Sequence, residues 1–232
     1  MTKIDIFVIN IPRHTERLSN FIKHYPHECH VVQAIEGREH WNTDVMLKWP
    51  NMNHSIIASN YKGLQLSMRK AILTAKEIDS DWAVVCEDDG EFPKKVDFQS
   101  IIKRFHDSQV IWLDARNKEG DGYIPYSRMN AVMYHKSVFK LMINELHPDT
   151  SKEMSQWEKH HNKQVMVNDY YIPWMLSRSG FKVSSMKVVK SNVQTKKFKS
   201  SVRCNGDWKT KYDGTLDDNS SYSFDGLYNI FR

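Results

Sequence analysis

Residues 87–89, Glu87-Asp88-Asp89, set three carboxylates side by side. Adjacent negative charges repel unless a cation sits among them, and an oxygen-only ligand set suits Mg²⁺ or Mn²⁺ over Zn²⁺. Such an ion keeps positions open for water or phosphate, so it can bridge a diphosphate and offset the charge that develops as the diphosphate leaves. In extended backbone, Glu87 and Asp89 would point to one side and Asp88 to the other. The plain alternative is an acidic loop facing solvent. What favours chemistry is the run before it, residues 82–86 (WAVVC), which is uniformly apolar and reads as a strand covered on both faces. Glycoside hydrolysis fits poorly, because its two carboxyls flank a sugar about 5 Å or more apart on separate segments.

The elements that must carry this triplet follow from periodicity. A β-rich run over 4–9 closes on Asn10 and Pro12, and a helix over 15–24 with Leu18, Phe21 and Ile22 on one face stops at Pro26. A second strand is expected over 29–35 and an irregular excursion over 36–53. From Ser59 a helix carries Leu64, Met68, Ala71, Ile72, Ala75 and Ile78 at helical spacing, and 79–81 breaks it ahead of the 82–86 strand. Further helices are expected over 96–105, over 137–146 with Ser137 as cap, and over 169–179 with Gly180 as stop. Strands are expected over 110–113, 131–134, 181–185 and 186–189. This alternation predicts an α/β fold with a mixed, mostly parallel sheet flanked by helices, whose ligands collect at the carboxyl ends of the strands. The acidic triplet falls at such an end.

With 232 residues, 40% hydrophobic and 26% charged, the chain reads as one domain over 1–200 followed by a polar tail, 201–232, packed on or wrapping the same domain. The net charge of +5 is concentrated late, where eight Lys and Arg between 187 and 211 face only Asp207. An anionic ligand such as a diphosphate is one partner for that stretch; without the aromatic interleaving of nucleic-acid modules, no nucleic acid is expected. Cys29, Cys86 and Cys204 show neither paired nor metal-like spacing. His24, His27 and His30 match no zinc pattern, and Pro26 interrupts any shared helical face. The first apolar run is broken by Asp5 and Asn10, so neither a signal peptide nor a transmembrane segment is expected, and a reducing, cytoplasmic setting follows.

Several segments resemble glycosyltransferase family 25, the lipooligosaccharide and procollagen galactosyltransferase family. Residues 6–17 (IFVINIPRHTER) are similar to its opening strand and loop, and Ala34-Ile35-Glu36-Gly37 to its Ala-Val-Asp/Glu-Gly segment. Residues 63–71 (GLQLSMRKA) resemble its Gly-Cys-x-x-Ser-His helix, and 84–89 (VVCEDD) its Val-x-Leu-Glu-Asp-Asp motif; 131–134 and Asn168-Asp169 fall where similar segments lie. Met68 stands in place of the usual His and Cys86 in place of Leu, so donor choice is not carried over. The resemblance implies a GT-A type, Rossmann-like fold, a nucleotide-sugar donor, usually a UDP-sugar, Mn²⁺ or Mg²⁺, an oligosaccharide or glycoprotein acceptor, and inversion at the anomeric carbon.

By that resemblance Asp89 is the direct metal ligand with Glu87 next, while Asn10, Arg13, Arg17, Lys62, Ser67 and Asp88 border the donor. Guanidinium forks at Arg13 and Arg17 suit phosphates, although Arg17 also reads as a surface helix start. An inverting displacement needs a carboxylate base. Asp169 is the first candidate, kept ionised by the helix it precedes or serving only as its cap, and Asp114, at another strand end, is the second. Two other functions compete. A nucleotidyltransferase would need a glycine-rich phosphate loop, absent from 10–17, and a non-catalytic carbohydrate-binding or interaction domain would have no need of an intact Glu87-Asp88-Asp89.

Overall fold

The computed structural model describes residues 2–25, 27–36, 55–93, 96–114, 120–121, 130–146, 172, 175–176 and 178–191, with backbone alone at 55–62, 120–121 and 190–191. The first strand, β1 (Ile4–Asn10), leads into α1 (Thr15–His24) and then β2 (His30–Gln33). The long helix α2 (Ser55–Glu77) runs back to β3 (Trp82–Glu87), which turns at once into β4 (Gly90–Glu91). Then come α3 (Phe98–Arg104), β5 (Val110–Trp112), β6 (Gly120–Asp121), β7 (Ala131–His135), α4 (Lys136–Glu145), β8 (Val183–Ser185) and β9 (Lys190–Ser191).

Among the described residues, seven strands form one sheet in the order β2-β1-β3-β7-β5-β8-β6, and β4 pairs with β9 beside it. β1, β2, β3, β5 and β8 run one way; β7 and β6 run the other. The fold is therefore α/β, with a mixed, mostly parallel sheet flanked by helices.

Alternation along the strands divides the side chains into two cores. Phe7, Ala83, Val85, Trp112, Val132 and Tyr134 face one layer, closed by Met68, Ala71 and Ile72 of α2 and Val138 and Met142 of α4. Val8, Val84, Cys86, Ile111 and Met133 face the other, closed by Phe21 of α1 and Phe98 and Ile101 of α3. Burial of each such Val, Ile or Met contributes about 1.5–3 kcal/mol, so a strand without polar residues in its middle is the stable solution here. Helix α3 is capped by Asp97, whose side chain accepts from Ser100 N at 3.1 Å.

Three local expectations are corrected. Helix α2 begins at Ser55, a turn before Ser59. The cap of α4 is His135 and not Ser137, because β7 feeds the helix with no loop between them and its last residue takes the capping position. Residues 186–189 form no strand; only an isolated bridge joins Lys187 to Asp114, and Val188 N and Val189 N both donate to Leu113 O, so this segment folds over the end of β5. Gly180 ends the late helix at φ +74, the left-handed conformation a glycine stop supplies, and Ile172, Met175 and Leu176 from that helix are buried in the first core. The excursion at 37–53 and the tail 201–232 lie outside the described residues. Cys29 and Cys86 are free thiols, Cys204 lies outside the described residues, and no described helix is long and apolar enough to cross a membrane.

Candidate active site

Strand β3 delivers Glu87 as its last, half-buried residue; Asp88 and Asp89 then form a tight turn and Gly90 starts the return. Because the chain turns there, the alternation expected across the triplet stops at Glu87, which continues the Ala83 and Val85 face. Asp88 and Asp89 both approach one guanidinium: Arg17 Nη2 lies 2.6 Å from Asp88 Oδ1 and 3.7 Å from Asp89 Oδ2. Arg17 is buried in α1, not at a surface helix start. Asn10, the last residue of β1, donates from Nδ2 to Asp88 Oδ2 at 2.7 Å and to His14 O at 3.2 Å. The register explains this contact: Ile9 lies opposite Glu87, and Asp88 N donates to Ile9 O, so the next residues of β1 and β3 meet.

Asp88 thus has one oxygen on an amide and the other on a guanidinium. Burial pushes its carboxyl up to about 6, with Arg17 and then the Asn10 hydrogen bond pulling against that rise. The three side chains form a closed polar unit behind the turn, and Asn10, Arg17 and Asp88 point into one another. His14 joins them with Nδ1 3.2 Å from Arg17 Nη1. Its partial burial, followed by the charges of Arg17 and Arg13, holds its pKa below the usual histidine value.

The remaining expected residues fall in three places. Arg13 is half-exposed and pairs with Glu36. Both line a cleft of ≈520 Å³ between the loop after β1, the segment 33–36 after β2, and Lys70 of α2. Ser67 is buried and donates to Gly63 O at 2.7 Å while accepting from Ile35 N at 2.8 Å, so it fixes one wall of that cleft. Lys62 lies on α2, its side chain outside the described residues, and Asp169 lies outside them altogether. Asp114, just past β5, is buried and accepts a hydrogen bond from Asn130 Nδ2 at 2.6 Å.

Asn130 escaped the sequence reading. Since β7 runs against its neighbours, the residue preceding it sits at the edge where β1, β3 and β5 end. Its carbonyl accepts from Glu87 N at 2.9 Å. Gly90 was missed too: a Cβ there would lie 3.3 Å from Glu87 O, 3.4 Å from Asn130 O and 3.4 Å from Val189 Cγ1. The usable signal was glycine directly after an acidic turn, a mark of close backbone approach.

Among the described residues, no three His, Cys, Asp or Glu side chains form a metal cage of their own. Asp88 is held by Asn10 and Arg17, and Asp89 also lies 3.7 Å from Arg17. Glu87 and Asp89 offer oxygen ligands only, the chemistry that suits Mg²⁺ or Mn²⁺ when substrate phosphates complete the shell.

No family model matches the chain, and no curated protein matches it. Similar solved structures include A197 from STIV, at 10% identity over 82% of this chain and 84% of that one, with a TM-score of 0.45. A glycosyltransferase involved in the glycosylation of the major capsid of PBCV-1 aligns at 10% identity over 80% of this chain and 81% of its own, TM-score 0.46. S. aureus TarS 1–349 in complex with UDP aligns at 12% identity over 80% of this chain and 61% of its own, TM-score 0.37.

Proposed function

We propose that this chain is a metal-dependent glycosyltransferase of GT-A type, moving a hexose from a nucleotide-diphosphate sugar, with UDP-sugars as the first expectation, to a hydroxyl of an oligosaccharide or glycoprotein, with inversion. The observation that carries this reading is the buried Asn10–Arg17–Asp88 brace. It holds an acidic turn at the carboxyl edge of the sheet, where the loop after β1 also lines a cleft that carries Arg13 and Lys70. Preorganised charge at a reacting diphosphate is where an enzyme gains most over water. A cytoplasmic setting belongs to the same proposal.

In this reading the nucleotide occupies the cleft along segment 33–36, and Arg13 faces the phosphates once Glu36 shares it. Asp89 and Glu87 would hold Mn²⁺ or Mg²⁺, whose chemistry is to neutralise the departing diphosphate. An acceptor oxygen attacks the anomeric carbon as the bond from that carbon to the diphosphate oxygen breaks, and the bonding pair leaves on the diphosphate. The acceptor's proton passes to a carboxylate. Asp114 is the candidate whose surroundings are described, and Asp169 is the alternative; replacing each by Asn at saturating donor separates them, since only the base's variant loses turnover.

The decisive test is Asp89→Asn. Transfer should vanish while the unfolding midpoint stays near that of the wild type; wild-type turnover by this variant sinks the assignment. Thermal shift with nucleotide diphosphates and Mn²⁺ tests the donor half, and stabilisation by none of them would favour a non-catalytic carbohydrate-binding or interaction domain.

A further inference from the structure

Between the acidic turn and Asp114 stands one residue that touches both. Asn130 belongs to no helix and precedes the antiparallel strand β7, which lies between β3 and β5 in the sheet. It is 6% exposed. Its backbone carbonyl takes the Glu87 amide at 2.9 Å, and its side-chain amide gives a 2.6 Å hydrogen bond to Asp114 Oδ2. The two contacts use different parts of the residue. The backbone contact ties β7 to the end of β3 whatever the side chain, whereas the Nδ2 contact depends on the amide.

Strand alternation adds a second constraint. Asn130 continues the face of Val132 and Tyr134, and Asp114 continues that of Val110 and Trp112, which is also the face of Ala83 and Val85 leading to Glu87. Glu87, Asn130 and Asp114 therefore occupy one face of the sheet edge on three neighbouring strands, opposite the α1 side that supplies Arg17. An amide donor is suited to this place. It orients the carboxylate through a hydrogen bond without adding a charge beside a bound diphosphate.

We propose that Asn130 is a positioning residue: it holds the Asp114 carboxylate in register with the acidic turn, so that the group receiving the acceptor's proton and the group holding the donor move as one body. This rests on the glycosyltransferase reading and on Asp114 as base. Asn130 touches neither substrate and works through Asp114 alone.

The experiment is a double-mutant cycle on the full chain, read as nucleotide-diphosphate release from a panel of UDP-, GDP- and dTDP-hexoses. Asn130→Ala should lower kcat about 10- to 100-fold with donor KM within about two-fold. In an Asp114→Asn background the same change should have no further effect, because the residue it positions is already lost. Asn130→Asp keeps the shape but sets an acceptor against Asp114 Oδ2, so it should fall below Asn130→Ala; Asn130→Ser, which retains a donor, should recover part of the rate. Should Asn130→Ala fail to fold, the Ser and Asp variants complete the cycle. Multiplicative losses in the double mutant, or a loss confined to donor KM, overturn the positioning role while leaving the transferase reading intact. A wild-type chain that releases nucleotide from no donor removes that reading, and this inference with it.

Discussion

Removing the Arg17 guanidinium is the most direct probe of the brace. Arg17→Met keeps the stem volume within α1 and deletes the guanidinium that stands 2.6 Å from Asp88 and 3.7 Å from Asp89. Both carboxylates are buried, so their charge is left in a poor solvent, a situation that costs about 3–5 kcal/mol in other proteins. The loss should depend on pH. In the wild type the Asp88 carboxyl is raised from 3.8 to about 6 by burial, even with Arg17 pulling it down. A raised carboxyl means the folded state takes up a proton more readily than the unfolded chain: its favourable contribution is complete below 3.8 and is lost as pH rises through about 6. Without Arg17 the folded pKa climbs further, so the variant sheds more stability on going to pH 8 than the wild type does. Urea unfolding with a chelator present, at pH 5 and pH 8, measures both differences. The expected result is a deficit of about 3–5 kcal/mol at pH 8 that narrows at pH 5, and partial recovery when Asp88→Asn is added to Arg17→Met. An equal deficit at both pH values, or one below about 1 kcal/mol at pH 8, the scale of an exposed pair, would show that the ion pair does not stabilise the turn.

Two further substitutions test neighbouring packing. Gly90→Ala brings a methyl group to 3.3–3.4 Å from the backbone oxygens of Glu87 and Asn130, the second of which is held by the Glu87 amide, so it should destabilise by about 1–3 kcal/mol in thermal unfolding; an unchanged midpoint would mean that the turn opens freely. Gln65→Met replaces a buried amide, 1% exposed and with no hydrogen-bond partner among the described residues, by an apolar chain of similar length. Removing an unsatisfied amide should raise stability by about 1 kcal/mol or more, and a loss in urea unfolding would refute that account.

What was legible in the sequence was whatever a local pattern determines. The helix over 15–24 coincides with α1, and the apolar run before Glu87 became β3 because a strand buried on both faces has no room for polar residues. What was not legible came from pairing between distant segments. Nothing in residues 131–134 records that β7 runs antiparallel, since a strand's own pattern is the same in either direction; yet that reversal moves Asn130, instead of a residue after the strand, to the edge where β1, β3 and β5 end. The turn at Asp88-Asp89 was hidden for a related reason, because alternation assumes extended backbone and only Gly90 hinted that it ends.

The same distinction explains why Asn10 and Arg17 read as donor contacts. Polar and cationic residues just past a first strand suit phosphate binding, and the pattern cannot say whether a phosphate or another part of the chain meets them. Here the in-register pairing of Ile9 with Glu87 places Asn10 beside Asp88, and α1 folds back to set Arg17 against the same carboxylate. Once Asp88 is neutralised by its own neighbours, the triplet no longer acts as three equivalent acids. The middle carboxylate anchors the turn, and it is to the outer two, Glu87 and Asp89, that the proposed function assigns the cation and its diphosphate.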